Sequence, residues 1–302
     1  MSRLTTVWGE TLNPDAVLQE YPRPQLVRGS YLNLNGWWDY AITGSDEIPV
    51  RYDGKILVPF SPEAPLSGVN RTLLPGQVLW YRRTLDVTAQ PGKRLLLHIG
   101  AADQRARVYL NGMLLSEHVG GYTAFTVELT QALAEENTLC IAVRDDTDKS
   151  TLSRGKQKTK RGGIWYTPQS GIWQTIWLEW VPETYISGLK ITPDAEKGSV
   201  RITVQSAQSR ACYVLFQGRR TGGYTNREMN LTVSEPELWS PEHPKLYDFA
   251  VELGDDHVES YFALRSVAVE KDAQGTMRLM LNGRPYFHTG VLDQGYWPDG
   301  LY

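Results

Sequence analysis

The stretch WYTPQSGIWQTIWLEWVP, residues 165–182, carries four tryptophans: Trp165, Trp173, Trp177 and Trp180. From Ile172 onward a strand period of two puts Ile172, Ile176, Leu178 and Trp180 on one face, and Trp173, Thr175, Trp177 and Glu179 on the other. A strand with one wet face carries polar residues on that face, so bulk on both faces predicts one side in a sandwich core and the other against a second element. Each buried indole removes ~150–250 Å² from water. At ~25 cal/mol/Å² that is an upper bound of roughly 4–6 kcal/mol per residue. Four exposed indoles would instead form an apolar patch of several hundred Å², more than a soluble monomer usually shows. Trp173, Trp177 and Trp180 are therefore predicted to be structural. Trp165 precedes the strand in a loop and is the candidate for touching a ligand.

The rest of the chain has the same texture. NTLCIAVRD (137–145), KRLLLHIG (93–100), GSVRITVQS (198–206) and KLYDFAVEL (245–253) are short, rich in β-branched and aromatic residues, and separated by Gly, Pro, Asn and Asp. This spacing predicts an all-β protein. Leu-Asn-Gly occurs at 34–36, 110–112 and 281–283, and Asn-Gly readily supplies the positive φ angles of a tight hairpin, so each is predicted to be a turn. TQALAEENT (130–138) is expected to make a single helical turn before a strand.

The 302 residues are 41% hydrophobic and 22% charged, ordinary for a globular chain of two or more domains. A net charge of −3 argues against nucleic acid as a partner. MSRLTTVWGETLNP at the start lacks a signal-like apolar run, and no segment approaches the ~20 apolar residues of a membrane helix. The expectation is no membrane partner and a cytoplasmic location. Cys140 and Cys212 fall in different candidate domains and are expected to be free thiols. The five histidines show no metal-ligand spacing, and no phosphate-binding glycine loop is present, so no metal and no cofactor is expected. Glu135 with Glu136, Asp145 with Asp146 and Asp148, and Asp255 with Asp256 fall at predicted turns and are expected to be solvated or turn-capping. The run SRGKQKTKRGG (153–163) concentrates Arg154, Lys156, Lys158, Lys160 and Arg161 in a loop leading into the tryptophan strand.

TPQSGIWQTIWLEWVP (167–182) resembles the end of the sugar-binding jelly-roll domain of glycoside hydrolase family 2, the β-galactosidase, β-glucuronidase and β-mannosidase group. LWYRRTLDV (79–87), VYLNGMLLSEHVGGYTAFTVELT (108–130) and ELWSPEHPKLYDFAVEL (237–253) resemble further landmarks of that family in the same order, and LNGRPYFHTGVLDQGYWPDGLY (281–302) is similar to its entry into the catalytic (β/α)8 barrel. The resemblance implies a jelly-roll sandwich over 1–182, an immunoglobulin-like sandwich over 183–271 and the start of a barrel over 272–302.

The family's two catalytic glutamates lie in later barrel strands, so the resemblance implies no catalytic residue in this chain. A retaining glycosidase needs two carboxyls about 5–5.5 Å apart across the scissile bond. The segment 284–292 would be the first barrel strand. Active sites gather at the carboxyl ends of such strands, which makes Asp293 and Gln294, then Trp297, candidate substrate contacts. RGKQ resembles a recurrent stretch in relatives and adds Arg154 and Lys156 to Trp165 as candidates. Some β-galactosidases carry an acidic, substrate-contacting residue shortly before Ser-Gly-Ile, whereas this chain has Trp165 near that place. The implied partner is a β-glycoside, with homo-oligomer contacts built by the sandwich domains. Two other functions compete with a non-catalytic portion of a glycosidase: a self-standing carbohydrate-binding module and a protein-interaction fragment.

Overall fold

The computed structural model describes residues 4–302, whose regular secondary structure is almost entirely β-strand. They divide into two compact units. One comprises residues up to Pro22, Ser30–Trp180 and Gln294–Tyr302, and the other comprises Arg23–Gly29 and Val181–Asp293.

The first unit is a two-sheet sandwich. One sheet has four strands in the order Tyr31–Asn33, Ile176–Pro182, Lys93–Ile99 and Phe125–Glu128. The other has six, ordered Gly54–Val58, Gly36–Thr43, Val78–Leu85, Asn137–Arg144, Arg105–Leu110 and Met113–Val119. Leu95, Leu97 and Ile99 from the smaller sheet meet Leu79, Tyr81, Ile141 and Val108 from the larger in one continuous core. Pairing is antiparallel, as in Ile141 opposite Tyr81 on one side and Val108 on the other.

The tryptophan stretch contributes one strand to the four-stranded sheet and one to a separate two-stranded ladder. Ile172, Ile176 and Leu178 lie in the core and Trp180 packs against it, while Trp177 is buried on the opposite face and stacks on His98 at 4.9 Å. The strand is not continuous, however. Gly171–Ile172 pairs with Ala102–Asp103, residues 173–175 leave the ladder, and Ile176–Pro182 begins a new pairing opposite Tyr31–Asn33. Trp173 sits in that break, half-buried and outside the core, where an unbroken strand from Ile172 was expected.

Two of the three Leu-Asn-Gly sites form the expected turns. Asn111–Gly112 joins Arg105–Leu110 to Met113–Val119 with φ of 53° and 82°, and Asn282–Gly283 joins Met277–Leu281 to Arg284–Pro285 with φ of 53° and 72°. At 34–36 the chain instead passes from one sheet to the other. There Leu34 N donates to Ile176 O and Asn35 Oδ1 accepts from Ile176 N, so the asparagine ties strands together in place of a hairpin. The helical turn in 130–138 is a short 3₁₀ segment, Thr130–Ala132, before the strand Asn137–Arg144.

The second unit packs Gly188–Asp194, Ser199–Gln205 and Glu228–Thr232 over Arg219–Tyr224, Ala211–Phe216, Tyr247–Leu253 and Asp256–Phe262. Strict alternation in Asp256–Phe262 puts Val258 and Phe262 inward, and the core includes Cys212 as a free, fully buried thiol. Asp256, expected at a solvated turn, is instead buried. It accepts from Arg28 Nε at 2.9 Å and Nη2 at 2.8 Å, and from Ile186 N at 2.7 Å. A further three-stranded sheet, Val267–Lys271, Met277–Leu281 and Arg284–Pro285, follows, but 286–296 carries no strand. Phe287 is 86% exposed, and Tyr286 reaches Glu242 through its hydroxyl at 2.8 Å.

Candidate functional site

The short pairing of Gly171 with Asp103 determines the geometry of the site. Gly121 passes directly over the Asp103 side chain, so close that a Cβ on Gly121 would lie 2.3 Å from Asp103 Oδ1. Asp103 is thereby 2% exposed. Loss of water, reinforced by the neighbouring charges of Asp145 and Glu63, pushes its carboxyl up to about 8. Asp103 Oδ1, both polar side-chain atoms of Gln104 and Gln169 Oε1 are buried without a hydrogen bond.

Glu63 and Asp145 lie behind it and meet at Ser170. The serine hydroxyl is 3.1 Å from Glu63 Oε1 and 2.9 Å from Asp145 Oδ2. One hydroxyl carries one proton, so it can donate to only one of the two carboxyls at a time, and a protonated carboxyl satisfies the other contact. Burial raises both groups, Glu63 to about 7. Asp145 was expected at a solvated turn. It does cap one, accepting from Thr147 N at 2.6 Å, but within the interior. Glu63 accepts from Leu73 N and Ser170 N as well, so these carboxyls are spoken for by backbone donors and are placed to hold loops rather than to attack a bond.

An aromatic cluster stands in front of Asp103. Trp173 donates from Nε1 to Gly121 O and lies 5.0 Å from Tyr302 and 5.7 Å from Tyr122. Tyr296 stacks on Tyr166 at 4.7 Å and meets Tyr302 edge-on at 5.3 Å. Gln157, buried in the middle of the basic loop, donates its two amide hydrogens to the hydroxyls of Tyr122 and Tyr302 and accepts from Gln169 N. The 294–302 segment is held in place by Asp299, which accepts from Thr6 N and Oγ1 and whose carbonyl accepts from Leu66 N. Ring faces of this kind stack on the apolar faces of sugars, and a buried neutral acid can donate a hydrogen bond to a hydroxyl.

The structure brings some sequence candidates together and leaves others apart. Gln294 Oε1 accepts from Lys156 Nζ at 3.4 Å and from the Tyr166 hydroxyl, so Gln294 and Lys156 do meet at the cluster's edge. Trp165 is half-buried with Lys158 Nζ 4.1 Å from its ring centre. Arg154 turns back to its own loop, donating to Ser150 O. Trp297 is half-exposed and meets Trp8 edge-on at 5.4 Å. Asp293 is exposed and belongs to the second unit.

Asp103, Tyr122, Gln157, Tyr296 and Tyr302 were missed by sequence reasoning. The one local signal was VGGYTAF (119–125), where paired glycines precede an aromatic between two strands, a pattern that marks close backbone approach. Among the described residues no group of three His, Cys, Asp or Glu is placed to hold a metal ion. Among the described residues no helix is long and apolar enough to cross a membrane.

Residues 184–265 match the family model described as glycosyl hydrolases family 2. A β-glucuronidase of Paenibacillus borealis is 27% identical over 239 residues, covering 70% of this chain and 39% of that protein. The β-glucuronidase of Canis lupus familiaris is 26% identical over 325 aligned positions, covering 90% of this chain and 49% of that protein. In fold, the structure of a Faecalibacterium prausnitzii β-glucuronidase superposes with a TM-score of 0.65 at 23% identity, over 88% of this chain and 50% of that one. This chain therefore spans half or less of the length of these relatives. The 184–265 segment thus matches the glycosyl hydrolase family 2 model, and the chain is similar along most of its length to β-glucuronidases.

Proposed function

We propose that the chain is the amino-terminal, non-catalytic portion of a retaining β-glycosidase acting in carbohydrate metabolism, in which a jelly-roll sandwich presents Trp173, Tyr122, Tyr296 and Tyr302 to a β-glycoside. The observation that carries this reading is the aromatic cluster built around Asp103 in a chain related to family 2 glycosidases. Gln294 and Lys156 extend the contact surface at its edge. The acid and nucleophile would come from polypeptide beyond these residues, because Glu63 and Asp145 are buried and engaged by backbone donors and Asp103 is sealed beneath Gly121. No cofactor is needed for that chemistry. Two free buried thiols agree with a reducing, cytoplasmic setting.

The test is a panel of p-nitrophenyl β-galactoside, β-glucuronide, β-mannoside and β-glucoside. The chain alone is expected to release no nitrophenol. Turnover that copurifies with it and is lost in Glu63→Gln or Asp103→Asn would overturn the non-catalytic reading. A second reading, a self-standing carbohydrate-binding module, is favoured by one specific observation: Trp8 and Trp297 are 67% and 50% exposed and lie edge to face. Calorimetry with monosaccharides distinguishes the two, since a self-standing module is expected to bind at micromolar concentration and a partial pocket far more weakly.

A further inference from the structure

Three arginines converge on the outer face of the six-stranded sheet. Along Arg105–Leu110, Ala106, Val108 and Leu110 lie in the core, so Arg105 and Arg107 point away from it. On the neighbouring strand Ile141 and Val143 are core residues, which puts Ala142 and Arg144 on the same outer face. The antiparallel register sets Arg144 opposite Arg105 and Ala142 opposite Arg107, and the short side chain of Ala142 leaves space among the guanidinium groups. A cavity of about 200 Å³ opens there within the first unit, with Arg105, Arg107, Arg144, Val78 and Ala142 in its lining.

One carboxylate holds two of the three arginines. Asp46, from the loop between Gly36–Thr43 and Gly54–Val58, accepts from Arg107 Nη2 at 2.6 Å and from Arg144 Nε at 3.1 Å, and lies 2.6 Å from Arg144 Nη2. The Arg105 guanidinium is exposed and has no hydrogen-bond or carboxylate partner among the described residues. Glu117 is the other acid at the rim. It stands 3.7 Å from Arg107 Nε with its side chain 64% exposed, so solvent screens it strongly. The two oxygens of Asp46 are used up on Arg107 and Arg144, and nothing is left for Arg105. A phosphate dianion has three terminal oxygens and twice the charge, and guanidinium forks match its geometry.

We propose that this cavity is a binding site for a phosphate dianion, free or at the end of an organic monoester, which displaces Asp46 from Arg107 and Arg144 and engages Arg105 as well. Asp46 is then an internal competitor. While it holds the arginines it keeps its loop against the outer face, where Ile48 and Tyr52 pack on the cluster of Ala41, Val78, Trp80 and Ala142 and Trp80 Nε1 donates to Ser45 O at 3.4 Å. None of the lining residues belongs to the aromatic cluster, so the site stands apart from the glycan reading and can fail or hold without it.

The experiment is calorimetric titration of the intact chain with sodium phosphate, phenyl phosphate and, at matched ionic strength, sodium chloride, repeated with Arg105→Gln and Asp46→Asn. Low salt and about pH 8 keep the phosphate doubly charged and the field unscreened. Because the Arg105 side chain holds nothing within the fold, Arg105→Gln is expected to leave the urea midpoint unchanged while weakening phosphate about tenfold, equivalent to ~1.4 kcal/mol. Asp46→Asn removes the competing charge and is expected to tighten phosphate by a similar factor. Binding of both phosphates supports a site open to monoesters, and binding of inorganic phosphate alone supports a site for the free ion. Phosphate binding no stronger than that of chloride, affinity unchanged in Arg105→Gln, or affinity no tighter in Asp46→Asn overturns the proposal.

Discussion

Trp173 Nε1 donates a hydrogen bond of 2.7 Å to the carbonyl oxygen of Gly121. This bond ties the break in the tryptophan strand to the glycine that closes over Asp103, and it separates the role of Trp173 from that of its neighbours. Trp177, two strand positions past the break, is buried against His98, whose Nε2 lies 3.2 Å from Glu179 Oε2.

The two tryptophans should therefore respond differently to truncation. Trp177→Ala is expected to cost about 3–5 kcal/mol, enough to threaten the first unit. Trp173→Phe keeps most of the ring contact but loses the bond to Gly121, a cost of about 1 kcal/mol. It should chiefly weaken sugar binding. Urea unfolding together with calorimetry checks both, and equal losses at the two sites would contradict the division of roles.

The buried acids make stability fall as pH rises. Glu63 has an ordinary value of 4.5 raised to about 7, and Asp103 one of 3.8 raised to about 8, so the folded state binds protons that the unfolded state has already released. Their contribution is complete below about pH 4 and is lost as pH rises towards 7–8. For Glu63 alone the loss is on the order of 3 kcal/mol. Urea midpoints should be higher at about pH 5 than at about pH 8, and Glu63→Gln should flatten that difference even though its amide cannot satisfy both Leu73 N and Ser170 N.

In the second unit, Arg28 and Asp256 form a buried ion pair with side chains 4% and 3% exposed. Removing one partner leaves a buried charge, so Arg28→Ala or Asp256→Ala should each destabilise by about 3–5 kcal/mol. Arg28→Met with Asp256→Leu together should cost less than the sum of the single changes. Denaturation monitored on the isolated variants decides this, and strict additivity would indicate that the two residues act independently.

Gly171 is required by two constraints at once. Its φ is +77°, and a Cβ there would lie 2.1 Å from the Tyr81 hydroxyl oxygen, which accepts from Ile172 N. Gly171→Ala should cost about 2–4 kcal/mol through backbone strain and overpacking. Thermal unfolding measures it, and the paired change Gly171→Ala with Tyr81→Phe should recover part of the loss.

Much of the fold was legible because strand signals are local. Period-two alternation located Asn137–Arg144, Ser199–Gln205 and Tyr247–Leu253, and Asn-Gly located the turns at 111–112 and 282–283. At Asn35–Gly36 the same dipeptide failed as a hairpin signal, because the asparagine is used to bond Ile176 across the sheet. Asp145 and Asp256 were read as turn acids because a turn position is local, whereas their burial is created by Ser170 and Arg28, distant in sequence.

The sequence by itself determined the all-β class, the burial of Trp177, the packing of Trp180 against the core and the basic loop of 154–161, since each depends on side-chain type and spacing along one segment. Only the tertiary structure decided where the site lies. Asp103, Gly121, Gln157, Trp173 and Tyr302 come from separate loops, and no periodicity links them. They converge because the short Gly171–Asp103 pairing, the passage of Gly121 over a carboxyl and the anchoring of Asp299 by Thr6 close those loops onto one another. Contacts of such long sequence separation are selected by packing of the whole unit, and that is the information a linear pattern does not carry.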